Sequence, residues 1–232
     1  MVQLVAIECS TATASVALVR GHDVVEHCFA PDSRQSERIL LAIDQLTRSS
    51  GFELRATDAI AVSIGPGAFT GVRLAIAAAQ GLALALSVPI VPVSTLAVLA
   101  LSIDAPPGGE PIPVLATMDA RMGEIYAGWF DVTRTAVTAR GAEAVLSAAQ
   151  LTRPEDVGRY TAVGNGFGAF PAEISAVIGE PLTAFPDRFP RAADVARLAQ
   201  RCWPHGAMPP EQIEAAYLRN KVALTTAERQ VA

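Results

Sequence analysis

An apolar strand, a glycine-rich turn and a long uncharged helix succeed one another between residues 59 and 86. No other stretch restricts the fold as much. Ala59-Ile60-Ala61-Val62-Ser63-Ile64 has the continuous apolar character of a strand buried on both faces. Gly65-Pro66-Gly67-Ala68-Phe69-Thr70-Gly71-Val72-Arg73 follows, and Leu74 to Leu86 is helix-forming and almost free of charge. Glycines at 65, 67 and 71 permit a tight turn, close backbone approach and free amide groups at a helix N-terminus. Two uses fit: a packing joint between strand and helix, or a cradle for an anion or nucleotide made by Gly65, Gly67, Thr70, Gly71 and Arg73. No lysine follows the last glycine, so this is not a Walker-type loop. Arg73 falls in the first helical turn, where the helix dipole disfavours a cation, and an anionic partner is expected for it.

The rest of the first hundred residues fits around this unit. Leu4–Ile7, Ser15–Val19 and Asp23–Phe29 read as strands, and Pro31-Asp32-Ser33 breaks the chain. Ser36–Arg48 reads as a helix with Ile39, Ile43 and Leu46 on one face. After the helix ending at Leu86 come a short strand at Ile90 and a helix from Thr95. Three strands followed by helix, strand and helix is the order of a ribonuclease-H-like α/β unit. The second half repeats it in outline. Ile112–Met118 ends at Asp119, a turn covers Arg121 to Gly123, and Glu124–Phe130 returns. Thr161 to Phe170 then joins a strand to a helix through Gly164, Gly166 and Gly168. The expected fold is a duplicated ribonuclease-H-like α/β fold of the actin, sugar-kinase and Hsp70 type. Its domains are 1–104, carrying the partner-binding helices, and 111–232, with the tail from about 213 expected back on the first.

Composition narrows the function. With 51% hydrophobic residues among 232, a substantial core is available. A net charge of −5 and the lack of a basic run argue against gripping nucleic acid unaided, so tRNA contact is expected only through a complex. Cys9, Cys28 and Cys202 have no ligand spacing and suit small thiols of a reducing, cytoplasmic compartment. The apolar stretch from Leu74 is interrupted by Gln80, Pro89 and Pro92. Its helix, near 15 residues, is short for a bilayer, and no membrane role is expected.

Several segments together resemble the TsaB family of tRNA threonylcarbamoyladenosine synthesis. They are the opening hairpin, Ser36-Glu37-Arg38-Ile39-Leu40, the glycine joint, Gln80-Gly81-Leu82-Ala83-Leu84-Ala85 and Val93-Ser94-Thr95-Leu96. Asp119-Ala120-Arg121-Met122-Gly123-Glu124-Ile125-Tyr126 and Tyr217-Leu218-Arg219-Asn220-Lys221-Val222-Ala223 complete the pattern. Residues 131 to 212 contribute little to it. The resemblance implies a two-domain relative of the catalytic subunit TsaD, without catalysis of its own. It implies binding to TsaD, with TsaE joining, in an assembly that moves threonylcarbamoyl from its adenylate to N6 of adenosine 37 of tRNA. A homodimer is implied for the free subunit, and a nucleotide is implied, if anywhere, at the partner junction.

The residues themselves point the same way. TsaD-like proteins carry two metal-binding histidines where this chain has Val93-Ser94-Thr95-Leu96-Ala97-Val98-Leu99, which offers neither imidazole nor carboxylate. No metal and no cofactor is therefore expected for this subunit alone. At the first hairpin tip, Glu8-Cys9 stands where Asp-Thr is more usual, which weakens nucleotide binding there. Asp119 reads either as a turn-capping carboxylate or as part of a phosphate site. Two competing functions remain: a stand-alone actin-fold ATPase or phosphotransferase, and a glycoprotease-type metallopeptidase, the latter disfavoured by the missing ligands. The helix from Leu74 is apolar on every face and is expected to be buried all round. Ile39, Ile43, Leu46, Leu74, Ala78 and Leu82 are its expected contacts with a partner, and Ala78→Glu the expected way to break them.

Overall fold

The computed structural model describes residues 1–29 and 35–219. The break at Pro31-Asp32-Ser33 and the Asn220-Lys221-Val222-Ala223 part of the last motif lie outside the described residues. In the first lobe β1 (Gln3–Glu8), β2 (Ser15–Arg20), β3 (Asp23–Cys28), α1 (Gln35–Ser50), β4 (Ala59–Ser63), α2 (Phe69–Leu86), β5 (Ile90–Val93) and α3 (Thr95–Leu101) follow the expected order. The sheet runs β3-β2-β1-β4-β5, with β1, β4 and β5 parallel and β2 and β3 antiparallel.

The second lobe has β6 (Ile112–Arg121), β7 (Glu124–Val132), β8 (Val137–Ala139), β9 (Ala144–Ser147), β10 (Thr161–Val163), α4 (Asn165–Ala169), α5 (Pro171–Ile178) and β11 (Thr183–Phe185). Its order, β8-β7-β6-β10-β11 with β9 also on β7, repeats the first sheet strand for strand. The chain is a duplicated ribonuclease-H-like fold.

The central strands of both sheets are buried on both faces, which is why β1, β4 and β10 lack polar alternation, while the edge strands β3 and β8 are partly exposed. On the first sheet Val5, Ile7, Val16 and Leu18 meet α1 and α2. On its other face Leu4, Ala6, Ala17 and Val19 meet Val195, Ala196 and Ala199 of α6 (Ala192–Cys202). The second sheet sends Val114, Ala116 and Phe130 toward Leu96 and Leu99 of α3, and Leu115 and Ile125 toward Ile174 of α5. The lobes thus exchange helices: α3, from the first, covers the second sheet, and α6, entered from the second, covers the first. α6 brings the chain back well before residue 213, because its apolar face, together with Val98 of α3, closes the far side of the first sheet.

α2 differs from expectation in two respects. It spans 18 residues, since extended Ala68 provides the N-cap and Gly71 and Arg73 already belong to the helix. By length and apolar composition it could cross a bilayer. It is also not enclosed. Val72, Ala75, Ile76, Ala79 and Ala83 are buried, whereas Phe69, Thr70, Arg73, Ala77, Gly81, Leu84 and Ala85 are exposed.

Candidate functional site

The glycine joint is filled by the first hairpin. A Cβ on Gly71 would run into the carbonyl oxygen of Cys9, and one on Gly67 would lie 2.5 Å from that of Ser10. The Ala68 amide donates to the same Ser10 carbonyl at 2.7 Å. Gly164 and Gly166 meet the backbone of Thr117 and Met118 in the same way in the second lobe. At both joints the missing side chain makes room for a hairpin backbone, and at the first the Ala68 amide is spent on the Ser10 carbonyl. Gly65, at φ +105°, turns the chain beside Val72 and the carbonyl of Ala216.

Beneath this joint lies Glu8, wholly buried. Its Oε1 accepts from the amide and hydroxyl of Ser10, both at 2.5 Å. Among the described residues Oε2 has no hydrogen-bond partner. Burial pushes the Glu8 carboxyl above its ordinary range, and the Ser10 bonds offset this only in part. Burial also pushes the neighbouring Cys9 thiol up to about 12.

This burial has a consequence for pH. The folded chain keeps a Glu8 proton that the unfolded chain releases, so the contribution is fully present below the unfolded carboxylate pKa. It is lost as pH rises through the higher folded value. Glu8→Gln cannot ionise. The variant is expected to gain stability relative to the parent chain as pH rises from about 4.5 to 8, read as the difference between paired urea titrations. A difference that does not change with pH would mean Glu8 is already charged in the fold.

At the second hairpin tip, Asp119 is occupied with its own turn. It accepts from the Arg121 amide at 2.8 Å and pairs with the Arg121 guanidinium at 3.1 Å, while its own amide donates to Asn165. Arg121, Met122 and Gly123 all have positive φ, which this tight turn imposes. Of the two readings of Asp119, turn capping is the one its contacts support.

Arg73 finds no carboxylate among the described residues. Its guanidinium lies 3.6 Å from the Phe69 ring centroid, and Nε donates to the Tyr217 hydroxyl at 2.9 Å. A π face and a phenol oxygen replace the anion expected at this helix end. Where the metal histidines of TsaD-like proteins would fall, Ser94 caps α3 by accepting from the Leu96 and Ala97 amides, and Thr95, Leu96, Val98 and Leu99 are buried. Ser94 also donates to Glu143 of the second lobe.

The expected partner contacts need correcting. Ile39 and Ile43 are 1% and 2% exposed and belong to the core beneath α1. Leu46, Leu74, Ala78 and Leu82 are half-buried against that same core. The two helices spend this face on their own sheet. What they leave outside is Leu40 and Leu41 of α1, at 57% and 61% exposure, and a stripe along α2. The stripe runs Phe69, Arg73, Ala77, Gly81 and Leu84 with Ala85, at steps of one helical turn. Its middle is Ala and Gly, which let a second helix approach closely, and its ends carry Phe69 and Leu84 at 58% and 67% exposure. Sequence periodicity missed this face because the helix is apolar on all sides; the run of Ala77, Gly81 and Ala85 was the available signal.

A cavity of about 600 Å³ opens between the lobes, beside Cys28 and Phe29 at the end of β3 and the loop into α6. Arg188, Arg191 and Arg197 line it together with Asp104, Asp187 and Asp194. Arg191 is paired with Glu26 and Arg197 with Asp194, so the lining has no marked preference for one sign of charge.

Residues 32–200 match the model of the family described as TsaD, tRNA N6-adenosine threonylcarbamoyltransferase. The tRNA threonylcarbamoyladenosine biosynthesis protein TsaB of Escherichia coli K12 is 33% identical over 231 residues, covering 95% of this chain and 96% of that one. Its Haemophilus influenzae counterpart is 32% identical, with 94% of each chain covered. The structure of YeaZ from Pseudomonas aeruginosa superimposes with a TM-score of 0.84 at 35% identity, over 94% of this chain and 100% of that one. With the same two lobes matched from end to end in sequence and in space, the chain belongs to the TsaB family.

Proposed function

We propose that this chain is an accessory subunit of the assembly that forms N6-threonylcarbamoyladenosine in tRNA. It binds the transferase subunit TsaD, with TsaE joining, and leaves the transfer chemistry to TsaD. The observation that carries the reading is the open α2 stripe with Leu40 and Leu41 beside it: small residues at helical spacing between large apolar ends, on a chain whose hairpin tips are engaged in their own packing. A helix pair of this kind suits a related helix pair in a partner of the same fold. Without that partner the same stripe serves a second copy, which makes the free subunit a homodimer.

In this reading the subunit needs no cofactor of its own, any nucleotide lies at the junction with TsaD, and tRNA is reached through the complex. Buried Glu8 and self-capped Asp119 support the division of labour, because neither presents a free carboxylate to a bound phosphate. Reconstitution tests it. Threonylcarbamoyladenosine formation with TsaD, TsaE and the adenylate donor is expected to fall to background when this chain is left out. Formation at an unchanged rate without it, or ATP turnover by the isolated chain, would remove the accessory role.

A further inference from the structure

Residues 208–219 run from the first lobe to the second. They start on the first sheet, where Met208 and Ile90 exchange two backbone hydrogen bonds of 2.8 and 2.9 Å. The segment then runs along α2, where Gln80 donates to the carbonyls of Pro210 and Ile213, and Ile213 is buried in the core beneath α2. It passes over the glycine joint, where the Ala216 amide donates to Ile64 at 2.8 Å. Tyr217 takes the Arg73 hydrogen bond, and Arg219 finally reaches the second lobe. There its guanidinium donates to the Ala120 carbonyl at 3.1 Å, pairs with Glu124 and lies 3.7 Å from the Met122 sulfur.

We propose that this segment is an interlobe clasp that sets the spacing between the two hairpin tips and couples it to the N-terminal end of α2. The first-lobe anchorage is made of backbone bonds and a buried isoleucine. Among the described residues the second-lobe anchorage is Arg219, 18% exposed, gripping the hairpin that carries Asp119. Arg219 is therefore the release point. Phe69, Arg73 and Tyr217 form a stack exposed on α2, so contact at that end of the helix acts on the same segment that holds the second hairpin.

Amide hydrogen exchange on the intact chain tests this. Arg219→Ala removes a charge-assisted grip, and the amides of residues 118–126 are expected to exchange about tenfold faster, with those of β1 and β4 unchanged. Arg73→Ala, whose side chain meets Phe69 and Tyr217 in the first lobe and clasp, is expected to speed the same amides about threefold. The double exchange Arg219→Glu with Glu124→Arg restores the pair in reverse but not the bond to the Ala120 carbonyl, and is expected to return exchange part of the way to the parent rate. Unchanged exchange at 118–126 in Arg219→Ala overturns the clasp. So does an acceleration spread equally over both lobes, which would mark general loss of stability. No effect of Arg73→Ala overturns the coupling to α2.

Discussion

Ala77→Glu is expected to cut the affinity for TsaD at least about a hundredfold while leaving the isolated subunit folded. Ala77 sits exposed at the centre of the α2 stripe. A carboxylate there must lose its water when a helix closes over it, and an unpaired charge in an interface costs several kcal/mol. About 2.7 kcal/mol suffices for a hundredfold change. Within one free chain the substitution only exchanges one good helix former for another, a few tenths of a kcal/mol, and it is also expected to separate the homodimer proposed through the same stripe into folded monomers. Titration calorimetry with TsaD and a melting curve of the free variant read the two quantities separately. Ala78→Glu is the instructive contrast, because Ala78 is half-buried over the core and its charge should unsettle the subunit itself. Full affinity in Ala77→Glu would show that the partner sits elsewhere.

Gly71→Ala is expected to lose about 3 kcal/mol of folding stability, the upper range for forcing atoms into a filled site. For a chain of this length that lowers Tm by about 10 °C. The obstruction is the Cys9 carbonyl, part of a backbone that Gly67, Ala68 and Ser10 also hold in place, so relief by a side-chain rotation is not available. Gly81 provides the internal control. It lies in the same helix, has nothing within 4 Å of a would-be Cβ, and faces outward. Gly81→Ala should therefore gain about 0.5–1 kcal/mol from helix propensity alone. Thermal melting of the pair separates the packing function of the joint from an anion-binding one: a cradle predicts little change in the unliganded Gly71→Ala protein.

The first lobe was legible in the sequence because its strands are continuous apolar runs and its breaks carry Gly or Pro. β1, β2, β4 and α2 lie within a few residues of where Leu4, Ser15, Ile60 and the glycine joint suggested. The second lobe was legible only at its hairpin and at Gly164–Gly166. β8, β9 and β11 are three or four residues long, too short for alternation to register. α6 is hard to read although Val195, Leu198, Ala199 and Cys202 repeat at helical spacing, because four arginines between 188 and 201 lie among and beside them. At the candidate site the existence of two apolar helices was readable and their orientation was not. Ile39 and Leu40 are equally apolar neighbours, yet one is 1% exposed and the other 57%. Only the position of the sheet decides between them. The contact of Arg73 with Tyr217 was unreadable for a related reason: Tyr217 is 144 residues away, and no local pattern brings it over a helix end.

The exchange of helices between the halves also sets the order in which this protein can be completed on the ribosome. The amino-terminal half emerges first with one side of its sheet only partly covered, by Val98 of α3, since α6 is not complete until residue 202. At elongation speeds of about 5–20 residues per second, that greasy surface waits several seconds for the rest of its cover. The half made first is thus the last to be finished, and nascent-chain chaperones have their clearest target there.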